Sequence, residues 1–176
     1  MGKKLVSVIG DGTVSSGDVR YRVAERVGSL LIESGYRLMT GGLGGVMEAA
    51  SGGARSNPGH MDGDIIGILP GLDPDDANRY VDIAIPTGLG IARNHIVTNS
   101  DAVIAIGGGA GTLSEMAFAW QKGKLMIALK VEGWSGEIAG RRIDNKDSRN
   151  GSGLEIVQEA GSPEEALSVL LKFLPP

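Results

Sequence analysis

"DAVIAIGGGAGTLSEMAFAWQKGKLMIALKV" (101–131) is the stretch on which the fold turns. Residues 101–109 are an apolar run ending in three consecutive glycines. A helical stretch follows, and then a second apolar run over 124–131. Strand, glycine turn, helix and strand in that order make the βαβ unit of a parallel sheet. "AVIAI" and "LMIAL" are apolar at every position instead of alternating, which predicts strands buried on both faces.

The same rhythm continues outward on both sides. Strand one is read over 4–10, with a helix from about 18 to 33 that carries Val19, Val23, Val27, Leu30 and Leu31 on one face. Strand two is read over 36–40, followed by "GGLGG" and a helix beginning near Val46. Strand three falls within 62–71 and strand four within 80–88, and "LGIARNHIVTNS" behind them reads as a helix. "DPDD" (73–76) is a turn and helix start. Strand seven is expected over 154–160. The last helix then has Ser162 as its cap, Pro163 at its first position and Glu165 closing a capping box. The Gly-rich, polar stretch 133–153 reads as a flexible surface excursion. No internal repeat or domain boundary interrupts the chain. The expected architecture is α/β and Rossmann-like: a single domain over 1–176, doubly wound around a mainly parallel sheet of about seven strands.

Composition removes several functions. A net charge of −4 opposes binding to a phosphate backbone, and an aromatic share of 4% leaves little for stacking bases. No nucleic-acid partner is expected. No apolar run approaches the roughly 20 residues that span a bilayer, so no membrane role is expected either. "MGKKLVSVIGDG" enters a strand directly and lacks the pattern of a secretory leader. The chain has no cysteine, which excludes disulfides and thiolate metal sites and fits a cytoplasmic protein. His60 and His95 lie far apart with no carboxylate at ligand spacing, so no metal site is read. Glycine stands out at 29 residues, clustered at the ends of apolar runs, where a backbone turns sharply or approaches a ligand.

Ligands of doubly wound sheets bind at the carboxyl ends of the strands, where the strand order reverses. Three glycine loops fall at such ends. They supply Gly10, Asp11 and Gly12; Gly41, Gly42, Gly44 and Gly45; and Gly107, Gly108, Gly109, Gly111 and Thr112. Placed side by side they form one glycine-lined floor. The third loop leads into a helix start, where unpaired N–H groups and partial positive charge favour a phosphate. It lacks the lysine of a Walker loop, and it follows strand five instead of opening a first βαβ unit. Thr112-Leu113-Ser114-Glu115 also fits a capping box, so Glu115 reads either as a cap or as a functional acid. Arg93 suits an oxyanion, or is a surface arginine near a helix start. Asn94 hydrogen-bonds a ligand or caps a helix. Asp11 and Thr13 contact a ribose or pterin edge, or serve a turn. Trp120 belongs to the core or to a subunit interface.

"GGGAGTLSE" resembles the "PGGxGTxxE" motif of the Lonely Guy family, the cytokinin-activating phosphoribohydrolases often mislabelled lysine decarboxylases. "GGLGGVMEAA" is similar to that family's second glycine loop, and "ARNHIV" stands where the family carries an Arg-Lys-x-x-Met signature. The resemblance covers roughly residues 4 to 131. It implies that Arg93 and Glu115 hold the positions of the enzymes' catalytic pair and that Met47 lies near the ligand. Three positions depart from the enzymes: Gly107 replaces proline, and Asn94 and Val97 replace lysine and methionine. In these the chain looks closer to the molybdenum-cofactor carrier branch, which holds a phosphorylated pterin without transforming it.

Two functions follow. The first is a carrier or sensor binding a phosphorylated heterocycle, either molybdenum cofactor or an AMP-like nucleotide, with no cofactor required for its own action. The alternative is a nucleoside 5′-monophosphate phosphoribohydrolase using Arg93 and Glu115, with lysine decarboxylation rejected. The resemblance also implies a homo-oligomer, dimer or tetramer, for whose packing "EMAFAW" offers Phe118 and Trp120.

Overall fold

A computed structural model describes residues 2–145 and 154–176. The apolar runs become the centre of one sheet. β1 (Leu5–Gly10) lies parallel to β5 (Ala102–Ile106), with Val6 opposite Ala102 and Gly10 opposite Ile106. β5 pairs in turn with β6 (Leu125–Leu129), and every residue of both strands is buried. With β2 (Arg37–Thr40), β3 (Ile65–Leu69), β4 (Ile83–Pro86) and β7 (Gln158–Ala160), the order is β4-β3-β2-β1-β5-β6-β7, parallel throughout. From β1 the chain winds outward to β4, then returns to β1's other side at β5. The reversal therefore falls between β1 and β5, and the three glycine loops, after β2, β1 and β5, stand on adjacent strands.

Alternate side chains of the central strands feed two cores. Val6, Val8, Leu38, Ile104 and Ile127 pack under α1 (Val19–Glu33), α2 (Val46–Arg55) and α6 (Pro163–Phe173). Ile9, Met39, Val103, Ala105 and Met126 meet Val97 of α3 (Asn94–Val97) and Met116, Ala119 and Trp120 of α4 (Ala110–Gln121). This is the expected doubly wound α/β fold. The α1–α2 contact is unusually close: a Cβ on Gly28 would lie 1.9 Å from the Ala50 carbonyl oxygen, and one on Gly53 would lie 1.8 Å from that of Glu25. That contact sets α2 beside β1, where the Val46 N–H donates to the Asp11 carbonyl at 2.8 Å.

Several elements differ from the sequence reading. Strand seven shrinks to three residues, because Val157 exchanges its backbone hydrogen bonds with Gly140 and Arg141 and not with β6. β4 is likewise shorter than 80–88 and lies at the sheet edge, with Ile83 and Ile85 exposed. The single helix expected behind it breaks into a 3₁₀ turn (Gly90–Arg93) and the one-turn α3, after a bend with Gly88 at φ +66°. Pro74–Asp76 forms a 3₁₀ turn capped by Asp73. Within the expected excursion, Trp134–Ile138 is a short helix, α5, whose Ser135 is fully buried; residues 146–153 lie outside the described residues. At α6, Ser162 caps Glu165 as expected, but the Glu165 carboxylate accepts from the N–H of Gly161 and not of Ser162. Trp120 belongs to the core, which leaves only Phe118 of the pair partly at the surface, edge-on to His95 at 5.2 Å. No helix among the described residues is long and apolar enough to cross a membrane.

Candidate functional site at the strand-order reversal

A cavity of about 250 Å³ opens at the carboxyl end of β1. Val8, Ile9, Gly10, Asp11 and Gly12 line it from β1 and its loop, Gly41 and Met47 from the second loop and α2, and Arg93 and Asn94 from the turn entering α3. Gly109, Gly111, Thr112 and Glu115 complete it from α4. Eleven of the sixteen candidate residues therefore share one cavity.

The start of α4 corrects the capping-box reading. The residue at the cap is Gly109, so Thr112 occupies the third helical position and Glu115 the sixth, beyond reach of the cap. Gly109 has no side chain to cap with. The N–H groups of Ala110, Gly111 and Thr112 stand in the first turn, where helix geometry provides no acceptor. A Cβ built on Gly109 or Gly111 meets nothing within 4 Å, so this turn is open to the cavity.

Gly107 and Gly108 have other work. The Gly107 N–H donates to Ser135 Oγ at 2.7 Å, and its carbonyl accepts from the Ser135 N–H. The Gly108 carbonyl accepts from the Trp134 N–H. Gly108 sits at φ +92°, where a Cβ would lie 2.2 Å from Thr112 Oγ1, so only glycine lets the chain turn into α4 here. Neither residue lines the cavity, and neither do Gly42, Gly44 and Gly45. Gly42 packs against Leu69, while Gly45 packs against Asp11 and Gly12, a contact that locks the first two loops together. The open part of the third loop is therefore 109–112, one residue shorter than a cradle reaching back to Gly108.

Arg93 is not a surface arginine. It is buried beside Glu115, and its Nη1 donates to Glu115 Oε1 at 3.1 Å. The guanidinium lies against Gly41, where a Cβ would come within 2.5 Å of both terminal nitrogens; any larger residue would displace it. Burial pushes the Glu115 carboxyl up to about 7, with Arg93 partly opposing the rise. Burial likewise lowers Arg93, against the pull of Glu115. At neutral pH the pair thus combines a charged fork with a carboxyl close to half protonated.

Asn94 joins α3 to α4. Its Nδ2 donates to Ser114 Oγ at 2.9 Å, and Ser114 Oγ donates to the Gly111 carbonyl at 2.7 Å. Asp11 does serve a turn, since its Oδ1 accepts from both the N–H and the hydroxyl of Thr13, yet it also lines the cavity. Those Thr13 bonds, then Arg20, hold its carboxyl below the usual range. Met47 is a core residue with its methyl under Gly12.

Sequence reasoning missed three residues, two of which, Ser135 and Asp82, have partners distant in the chain. Arg20 binds Asp18 at 2.6 Å and Asp11 at 3.2 Å, with its stem across Gly107. Ser135 pins the third loop from 28 residues away. Asp82, brought in by β4, stands 2.9 Å from His60 Nε2 and also binds Arg55, so His60 does have a carboxylate partner. Of the three, only Asp82 directly flanks an apolar run, that of β4. No group of three His, Cys, Asp or Glu side chains that could hold a metal ion is found among the described residues.

The chain is similar to known proteins in sequence and in fold. An uncharacterized protein of Archaeoglobus fulgidus is 46% identical over 126 residues, covering 71% of this chain and 79% of its own. The molybdenum cofactor binding protein of the phototrophic bacterium Rippkaea orientalis superposes with a TM-score of 0.79 at 37% identity, covering 99% of both chains. The molybdenum cofactor carrier protein of Chlamydomonas reinhardtii gives 0.77 at 28% identity, again over 99% of both. The SLOG cluster4 family matches from residue 3 to residue 167, and the chain belongs to that family.

Proposed function

We propose that the protein binds a phosphorylated heterocycle, a molybdenum cofactor-like pterin or a nucleotide, and acts as its carrier or sensor. The observation that carries this reading is the uncapped first turn of α4, open at Gly109 and Gly111, facing a cavity that also holds the buried Arg93 fork. Backbone N–H groups at a helix start and a guanidinium together suit a phosphate monoester. The Rippkaea and Chlamydomonas proteins, named for binding or carrying molybdenum cofactor, support a pterin as cargo. Asn94, tied to Ser114, where the resembling enzymes carry lysine, leans toward holding over hydrolysis.

One observation favours a second reading. Glu115 is buried against Arg93 and titrates near neutrality, as suits a group that handles protons beside a developing sugar cation. A nucleoside 5′-monophosphate phosphoribohydrolase would use the pair this way. Incubation with AMP and isopentenyl-adenosine monophosphate, with assays for free base and ribose 5-phosphate, separates the two. The carrier reading expects binding without release, whereas release abolished by Glu115→Gln establishes the hydrolase. We also infer a homo-oligomer, to which the exposed Leu72, Leu89 and Ile91 offer apolar surface; a monomer mass in light scattering would contradict it.

A further inference from the structure

The cavity is chemically lopsided. At α4 and Arg93 it offers N–H donors. At the β1 loop it offers Asp11, a carboxylate that only accepts. Asp11 Oδ1 takes two hydrogen bonds from Thr13, at 2.8 and 2.7 Å, and Oδ2 takes one from Arg20 Nη1 at 3.2 Å. A carboxylate has about four lone-pair sites, so Oδ2 keeps one free, and the side chain is 24% exposed. A phosphate oxygen brought against that charge is repelled, whereas a hydroxyl or amino donor is attracted. The volume, about 250 Å³, equals roughly eight liquid waters at ~30 Å³ each, more than a bare phosphate fills.

We propose that Asp11 sets ligand specificity and orientation: its Oδ2 accepts a hydrogen bond from the donor-bearing end of a phosphate monoester whose phosphate rests on the first turn of α4. This rests on the binding function proposed above. The donor comes from a ribose diol or from an amino group of the heterocycle. Arg20 is a positioning residue. Shared between Asp18 and Asp11, with its stem across Gly107, it fixes the direction in which Oδ2 points.

Asp11→Asn tests the proposal, because it preserves shape and can still accept from Thr13, but it places an N–H₂ donor where Oδ2 accepts. Wild type and variant are titrated by calorimetry with inorganic phosphate, AMP, 2′,3′-dideoxy-AMP and inosine monophosphate. AMP affinity should fall about tenfold or more in the variant, while phosphate affinity holds or rises because a nearby negative charge has gone. If 2′,3′-dideoxy-AMP binds both proteins alike, the diol is the donor; if inosine monophosphate does, the ring amine is. An equal loss for phosphate and AMP marks a purely structural Asp11, and unchanged AMP affinity marks a residue outside the contact; either overturns the proposal. Failure of the wild type to bind any of the four overturns the nucleotide form of the binding function, and the proposal with it.

Discussion

Arg93 Nη1 stands 3.1 Å from Glu115 Oε1, with both side chains at least nine-tenths buried. The pair joins two segments that the chain brings in separately, the turn before α3 and the second turn of α4, and it faces the cavity. In so enclosed a place the carboxyl resists ionisation even beside an arginine. When Glu115 is protonated, the pair carries the positive charge of Arg93; when it is ionised, the two charges cancel. Protonation and anion affinity are therefore linked.

The first consequence concerns stability. Glu115 titrates near 7 in the folded protein, against 4.5 for the free group. A raised carboxyl contributes most below pH 4.5, and the contribution is lost as pH rises through about 7. The loss amounts to about 3 kcal/mol at 1.36 kcal/mol per pH unit. Urea unfolding of wild type and Glu115→Gln between pH 4.5 and 8 should show the variant gaining on the wild type by that order. A stability difference that stays constant across the window would contradict the assignment.

Sulfate does not titrate in this range, so it isolates the effect of the pair on anion binding. Its affinity should fall several-fold from pH 6 to pH 8 as Glu115 ionises, and Glu115→Gln should flatten the profile. A wild-type affinity independent of pH would separate Glu115 from the anion.

Ser135 holds the third glycine loop without lining the cavity. Its hydroxyl accepts from the Gly107 N–H and donates to the Leu129 carbonyl, each at 2.7 Å. Ser135→Ala strands a buried donor and should cost about 1–3 kcal/mol. Thermal unfolding checks this; an unchanged midpoint would mean that the loop holds its shape unaided.

The readable part of this molecule was the part governed by local pattern. Buried parallel strands are apolar at every position, so "AVIAI" and "LMIAL" announced both the strands and their parallel pairing, and glycines at strand ends announced the loops. The roles of Arg93 and Glu115 were not local. Whether Arg93 is buried depends on Gly41, whose lack of a side chain admits the guanidinium. Thr112-Leu113-Ser114-Glu115 matches a capping box letter for letter, but Gly109 starts the helix three residues earlier, which turns Glu115 inward. Asp11 could be read as a turn residue or as a ligand contact because its two oxygens face different partners. Ser135 and Asp82 gain their meaning from partners that only the fold brings near, and Arg20 from the turn that sets it between Asp11 and Asp18.

Gly111 provides the most direct test of phosphate binding at α4. A Cβ there meets nothing within 4 Å beyond its own turn of helix, so Gly111→Leu should fold normally, with the helix gaining up to about 1 kcal/mol over glycine. Calorimetric titration with AMP should show binding by the wild type and at least a tenfold loss in this variant at an equal or higher melting midpoint. Equal AMP affinity in the folded variant would contradict the account.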